Sequence, residues 1–177
     1  MEATATGLAA RRLGAQPSFA AACEEHLDDV YAYLVYMTGD PALAEDLTSV
    51  TFERALRRWR RFDPRRGSAR TWLCQLARGA ALDHFRSERR RHRREEAAGR
   101  EREDVELSFG EGLSPELEDG LARLSAGERE VIALRVVLDV EVAAAARLLG
   151  ISETACTTRL SRALGKLEQI VKGENGD

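Results

Sequence analysis

Cysteine, histidine and aromatic residues are scarce in this 177-residue chain, with three Cys, three His, and Phe, Trp and Tyr together at 6%. Cys23, Cys74 and Cys156 stand alone, with no Cys-x-x-Cys pair and no cluster of His ligands. Neither a disulfide framework nor a zinc site is indicated, and three reduced, mostly packed thiols are expected. Long apolar runs are missing as well. No stretch approaches the roughly 20 residues a bilayer crossing needs, and the first residues lack the apolar core of a secretory signal, so a cytoplasmic chain without membrane insertion is expected. No segment alternates polar and apolar residues over a useful length, and no Gly-rich phosphate loop follows a strand pattern, so an all-α protein is expected.

What is present is charge, and it is segregated. Between Arg54 and Arg94 fifteen arginines face only Asp63, Asp83 and Glu88, a net charge of +12 in 41 residues, which leaves −15 on the other 136 because the whole chain carries −3. Such a stretch binds polyanions even when the overall isoelectric point is near 5.8. Trp59, Phe62, Trp72 and Phe85 lie inside it, so part of it also belongs to a folded core.

Periodicity divides the chain into four parts. Residues 1–17 are small, polar and Gly-interrupted, and are expected to form a disordered tail. From Phe19 the apolar residues Phe19, Cys23, Val30, Leu34 and Met37 recur at helical intervals up to Gly39, a left-handed helix end. Asp40 and Pro41 then read as N-cap and first residue of a second helix. That helix carries two apolar stripes, Leu43, Leu47 and Val50 on one side and Phe52, Leu56 and Trp59 nearly opposite, so one can serve the core and the other a partner, unless neighbouring helices bury both. Asp63-Pro64-Arg65-Arg66-Gly67 is a turn, and Ser68 caps a third helix running to about Arg90, with Leu73, Leu76, Ala77 and Ala80 on one face and Thr71, Gln75, Arg78 and Arg86 on the other. These elements make a first domain over residues 18–90.

Residues 91–113 lose periodicity. From Glu95 to Asp119 there are 10 acidic residues and two arginines, the composition of a flexible charged linker, and the arginines at 89–94 serve either a ligand surface or a solvated linker entrance. A second small helical domain follows over residues 114–172. Ser114-Pro115 restarts helix and Ser125 with Glu128 forms a capping box. Then come an alanine-rich helix, the turn Leu149-Gly150-Ile151-Ser152, and a last helix with Leu160, Leu164, Leu167 and Val171 in register. The turn is that of a helix-turn-helix: Gly permits the bend, Ile151 plugs the angle and Ser152 caps the helix that reads DNA. Thr154, Thr157, Thr158, Arg159, Ser161 and Arg162 are then presented outward, short hydroxyls for close approach to base edges and arginines for guanine or phosphate.

The order of these motifs resembles the extracytoplasmic-function class of bacterial RNA polymerase sigma factors over residues 18–170. Ala44-Glu45-Asp46-Leu47-Thr48 with Phe52 is similar to the family's polymerase-docking region. Ser68-Ala69-Arg70-Thr71-Trp72-Leu73, Leu76-Ala77-Arg78 and Asp83-His84-Phe85-Arg86 look like its promoter-melting helix, and Leu124-Ser125, Glu130-Val131, Leu134-Arg135, Leu149 to Glu153, Arg159-Leu160 and Arg162-Ala163-Leu164 resemble its minus-35 region. The resemblance implies a specificity subunit rather than an enzyme, working without a cofactor, that docks on core polymerase through the beta-prime clamp helices and the beta flap. Leu43, Asp46, Leu47, Ser49 and Val50 would make the clamp contact. The melted minus-10 strand would meet Phe62, Arg65, Arg66, Ser68 and Arg70, and then Thr71, Trp72, Gln75, Arg78, Gly79 and Arg86. Arg135, Ser152, Thr154, Thr157, Thr158, Arg159, Ser161 and Arg162 would meet the minus-35 duplex. Promoter DNA is the implied ligand, and an anti-sigma factor holds many members of the family.

Departures from the family pattern sit at Ser49-Val50 in place of Gln-Glu, Gly79 in place of Asn, Glu141 in place of a capping Ser, Ala145 in place of Ile, Thr154 in place of Gly and Thr157 in place of a basic residue. Gly79 removes a base-reading amide, and a Gly inside a helix costs about 1 kcal/mol relative to Ala. Trp72 is divided between core packing and a wedge beside a melted base, while Trp59 reads as core. The acidic linker is implied to thread the polymerase cleft, or simply to tether, and its charge would also let it mask the arginine surface. Three other functions compete. A helix-turn-helix regulator sensing a signal through its N-terminal domain lacks an N-terminal phosphate-accepting or ligand motif. A helical nuclease or phosphohydrolase using Glu45, Asp46, His26 and His84 lacks paired ligands at metal spacing. A polymerase-binding regulator without DNA contact is distinguished by whether the arginine surface is needed for activity.

Overall fold

The computed structural model describes residues 17–97 and 107–174, so most of the expected N-terminal tail and the central part of the expected linker lie outside the described residues. Among the described residues there are seven α-helices and no strand. Helix α1, Phe19–Thr38, starts where the Ser18 hydroxyl accepts from the Ala21 N–H at 3.1 Å and stops where Gly39 adopts φ +66° and returns its N–H to Val35 O. Helix α2, Pro41–Arg58, starts on the Asp40 carboxylate, which accepts from the Leu43 N–H. A 3-10 turn, Trp59–Arg61, and a loop lead to α3, Ala69–Ala97.

The core stripe of α2 is Ala44, Leu47, Thr48, Thr51 and Ala55, a narrow seam of small side chains. Thr48 and Thr51 lie there without loss because each hydroxyl donates to a carbonyl one turn back, Ala44 O and Leu47 O, both at 2.7 Å. α3 continues seven residues past the end that its apolar pattern marks. Its last turns are held by charge spacing instead, with Arg91 bridging Glu88 at 2.8 Å and Glu95 at 3.6 Å. The arginine block at 89–94 is therefore helical surface.

In the C-terminal half, α4 (Pro115–Ala122) and α5 (Ala126–Ile132) start on Ser114 and on the reciprocal Ser125–Glu128 box. A π turn over Ala133–Val137, closed by Leu138 N–H to Ala133 O, leads to α6 (Val142–Leu149) and α7 (Glu153–Glu174). Gly120 lets α4 and α7 approach closely, since a Cβ there would stand 2.9 Å from Leu167.

The two halves pack together. One continuous core runs from Val30, Tyr33 and Leu34 on α1 to Val131 and Leu134 in the C-terminal half. At its polar edge Glu130, 5% exposed, accepts from the Tyr33 hydroxyl at 2.6 Å and from Arg78 Nε at 2.8 Å, both on Oε1. Burial first, and then the Glu130 charge, push the Tyr33 phenol well above its usual range, so it donates. Arg129 spans the same seam, reaching Tyr36 O and Leu124 O while its guanidinium lies 5.5 Å from the Phe109 ring centroid. The end of the expected linker is built into this joint. Ser108 N–H donates to Gly39 O at 2.7 Å, Leu107 packs on Gly39, and Phe109 is 5% exposed. Residues 107–113 are thus a structured strap, because apolar Leu107 and Phe109 find a core that their acidic neighbours in sequence do not announce.

Candidate nucleic-acid interface

The cationic segment folds around an aromatic knot. Trp59 stacks on Phe62 at 5.1 Å, Trp72 meets both edge-on or tilted at 5.7 and 5.5 Å, and Phe19 closes the other side of Trp59. Trp59 Nε1 donates to Pro17 O, which satisfies the one polar atom this packing buries. Phe62, expected at the DNA surface, is 6% exposed and belongs to the knot. It has two indoles to cover, and a base cannot stack on it without displacing one. Trp72 is half-buried, with one part of the ring in the knot and an edge facing outward.

That edge divides two recesses. The first, about 410 Å³, lies between α2 and α3 and is lined by Arg54, Arg58 and Arg61 on one side and Trp72, Gln75, Leu76 and Gly79 on the other. The three arginines follow at i, i+4, i+7, a spacing that places them on one helix face and that could have assigned them to the site from sequence. Arg54 is steadied by Asp83 at 3.1 Å. Apart from its chain neighbours and the backbone of its own helix, no atom lies within 4 Å of a Cβ built on Gly79, so the missing side chain opens the floor of the recess. Cations, an aromatic edge, an amide and open room are the components that hold a single-stranded nucleotide.

The second recess, about 800 Å³, has the loop and the start of α3 as one wall, including Arg66, Ser68, Arg70, Thr71 and Gln75. Asp63 shapes that loop by taking the N–H of Arg65 on its carboxylate and the N–H of Arg66 on its carbonyl. The Ser68 hydroxyl is already occupied as the α3 cap, accepting from Thr71 N–H. Arg70 leans towards Asp29 at 4.0 Å and Arg86 towards Asp83 at 3.5 Å, and Arg86 is largely exposed. The opposite wall is the C-terminal half: Asp139, Val140, Glu141, Ala144, Arg147 and Leu148. Arg78, expected beside Gln75 on the strand face, is instead turned into Glu130, because the buried carboxylate needs a donor and Arg78 is the cation in reach.

The second element expected to face DNA is α6-turn-α7. Gly150 adopts φ +69°, the Ile151 N–H reaches back to Ala146 O, and Ser152 caps α7 through Ala155 N–H. Glu141 stands at the cap of α6 without a side-chain hydrogen bond there. Thr154, Thr157, Thr158, Ser161 and Arg162 are exposed, although the Thr157 hydroxyl is donated to Glu153 O. Arg135 and Arg159 are less available than expected. Arg135 donates to Val140 O and holds the π turn, and Arg159 lies half-buried, near enough to Gly127 to touch a Cβ placed there.

On the expected polymerase surface Asp46, Ser49 and Val50 are exposed and Leu43 is half-exposed, but Leu47 is 5% exposed and packs in the core. Small neighbours on both sides of Leu47 leave it as the large residue of the α2 seam. Leu56, on the same helix and 59% exposed, is the exposed member of the other apolar stripe. Among the described residues no group of three or more His, Cys, Asp or Glu could hold a metal ion, and His26 pairs with Asp29. Burial pushes the Cys74 thiol up to about 12 and raises Cys156 as well, which leaves neither poised as a nucleophile. Among the described residues no helix is long and apolar enough to cross a membrane.

Known proteins match this arrangement part by part. The Sigma-70 region 2 family matches residues 23–91 and the Sigma-70 region 4 family matches residues 114–167. The extracytoplasmic-function sigma factor BldN of Streptomyces coelicolor is 33% identical over 89% of this chain, which spans 62% of that longer relative. A probable RNA polymerase sigma-C factor of Mycobacterium bovis is 34% identical over 76% of this chain and 73% of its own length. In fold, the chain resembles the sigma factor RpoE of Bartonella quintana in its complex with the anti-sigma factor NepR, with a TM-score of 0.70 and 24% identity over 87% of this chain and 96% of that one. Two sigma-70 regions matched in this order, with relatives a third identical over most of the chain, place the chain in a family to which it belongs: the extracytoplasmic-function RNA polymerase sigma factors of the sigma-70 family.

Proposed function

We propose that this chain binds core RNA polymerase, directs it to promoters and opens the DNA there, the first domain over residues 18–90 holding the melted minus-10 strand and the second over residues 114–172 setting register on the minus-35 duplex. The observation that carries this reading is the recess between α2 and α3. Unstacking DNA costs a few kcal/mol per step, and a groove with three arginines, an aromatic edge and an open floor offsets that cost only for a strand already single. Its working residues are Arg54, Arg58, Arg61, Trp72, Gln75 and Gly79, with Arg65, Arg66, Arg70, Thr71 and Arg86 guiding the backbone. Phe62 and Ser68 shape the loop rather than touch a base. On the duplex side Thr154, Thr158, Ser161 and Arg162 read or clamp, while Ser152, Arg135 and Arg159 position them. Asp46, Ser49, Val50 and Leu43 face the polymerase. As a specificity subunit the chain has no reaction of its own and works in the cytoplasm, where its polymerase is. The likeness to RpoE held by NepR supports an anti-sigma partner for this chain also.

Reconstitution with bacterial core polymerase on genomic fragments tests the reading. Transcripts that start at defined sites only when the protein is added are expected. Charge reversal of Arg58 and Arg61 then blocks opening on duplex promoters and leaves initiation from a pre-melted bubble less affected, whereas changing Thr158 and Arg162 alters upstream duplex recognition. Equal loss at both steps from either pair would reject this division of labour, and the absence of any added transcript would reject the sigma reading.

A further inference from the structure

An acid stands at the end of the arginine groove. Asp83 follows Gly79 by one turn of α3 and reaches across to α2, where its Oδ2 accepts from Arg54 Nη1 at 3.1 Å, while its Oδ1 lies 3.5 Å from Arg86 Nη1. Both oxygens are thus spent on cations, and Arg54 is tied to the helix that forms the floor of the recess. The tie adds little to stability, because the Asp83 side chain is 55% exposed and solvent screens such pairs. Its consequence is geometric. Nη1 is taken, and the parallel donors Nε and Nη2 remain as the edge that a ligand in the recess can meet.

The lining chooses among bases. Arg54, Arg58 and Arg61 only donate, and among the described side chains around the recess the amide of Gln75 supplies the one oxygen acceptor. Adenine would turn its N6 amine, a donor, towards donors. Guanine sets two acceptors, O6 and N7, side by side, the edge that a guanidinium fork fits, and its N2 amine gives the Gln75 oxygen a donor. Cytosine also has adjacent acceptors, N3 and O2, but on a single ring, and a volume of about 410 Å³ left open at Gly79 suits the bicyclic base.

We infer that the recess between α2 and α3 selects a guanine in the single strand, Arg54 reading its O6 and N7 edge and Asp83 acting as the positioning residue that holds Arg54 to that task. The inference rests on the strand-holding role proposed above. It gives base choice to α2, since Gly79 brings no side chain to make it.

The protein bound to core polymerase is titrated by fluorescence anisotropy with thymine strands that carry guanine, 7-deazaguanine, adenine or cytosine at every third position, with core polymerase alone as the blank. The guanine strand is expected to bind about tenfold more tightly than the all-thymine strand. 7-Deazaguanine, which has a C–H in place of N7, is expected to lose most of that gain. Arg54→Lys keeps the charge and removes the fork, so the guanine gain disappears while affinity for the all-thymine strand is kept. Asp83→Asn keeps the shape and releases Arg54: the all-thymine strand binds more tightly, because a negative charge has left the groove, while the guanine gain shrinks. A merely structural role for Asp83 would lower both together. Equal affinity for all the strands, or a preference for adenine or cytosine, overturns the guanine site. A guanine gain unchanged in Arg54→Lys overturns the reader, and one unchanged in Asp83→Asn overturns the positioning. Charge reversal of Arg58 and Arg61 separates this inference from the reading beneath it. Undiminished binding of the all-thymine strand by that variant sinks the strand-holding face itself, whereas diminished binding together with no base preference in wild type sinks only the guanine site.

Discussion

The two regions proposed to meet DNA have opposite shapes. α7 presents short hydroxyls and Arg162 on an exposed helix that a duplex groove meets as it is. The face on α2 and α3 proposed to hold the strand is recessed and aromatic-edged, a shape that suits DNA that is already open. Recognition of a duplex needs a convex reader that is always available, because the major groove is always there. Capture of a melted strand needs a concave one, whose affinity for the strand is set largely by charge. The same chain charges them differently for that reason, fifteen arginines in the segment of the strand face and a sparser, hydroxyl-rich surface on the reader.

Breaking the joint between the regions gives the largest effect. Glu130→Ala leaves Arg78 and the Tyr33 hydroxyl without their shared acceptor, and loss of one partner of a buried pair costs about 3 kcal/mol or more. Chemical denaturation is expected to show that loss, and to split one cooperative transition into two as the halves come apart. Next is charge reversal at Arg58 and Arg61, expected to weaken single-strand binding by about tenfold or more and to flatten its salt dependence, with duplex binding by the C-terminal half retained in gel-shift measurements. Arg162→Ala sharpens the contrast from the other side, with an expected loss of about 1 kcal/mol in upstream duplex recognition and no change in strand affinity.

Gly79→Ala tests the strand face at its floor. Open space around the site removes any steric penalty, so thermal unfolding should show about 1 kcal/mol of added stability, while the narrowed recess weakens strand capture. Gain in both properties would contradict the role given to the open floor. The smallest effect lies at the edge of the duplex reader. The Lys166 ammonium first, and then the Ser125 capping box, hold the Glu128 carboxyl down at about 2 from an ordinary value of 4.5. Its pKa is depressed in the folded state, so its contribution is complete above pH 4.5 and is lost as the pH falls towards 2. The stability difference between wild type and Glu128→Gln, followed by thermal unfolding across that window, is expected to vanish at the acid end.

By itself the sequence determined the elements whose cause is local. Ser18, Asp40 with Pro41, and Ser125 with Glu128 cap helices within three or four residues of themselves, Gly39 and Gly150 end them, and the cationic segment and the helix-turn-helix are readable as composition and spacing. The end of α3 escaped because i, i+3 and i, i+4 ion pairs hold it where apolar periodicity has stopped. Only the tertiary structure decided which side of each helix is spent on packing. Leu47 lies in the core because small residues flank it, Phe62 because two indoles cover it, and Arg78 faces inward because a carboxylate 52 residues away is buried opposite it. Burial and pairing depend on neighbours distant in the chain. Hence a sequence names the chemistry of an interface while the fold decides which of its residues are free to use it.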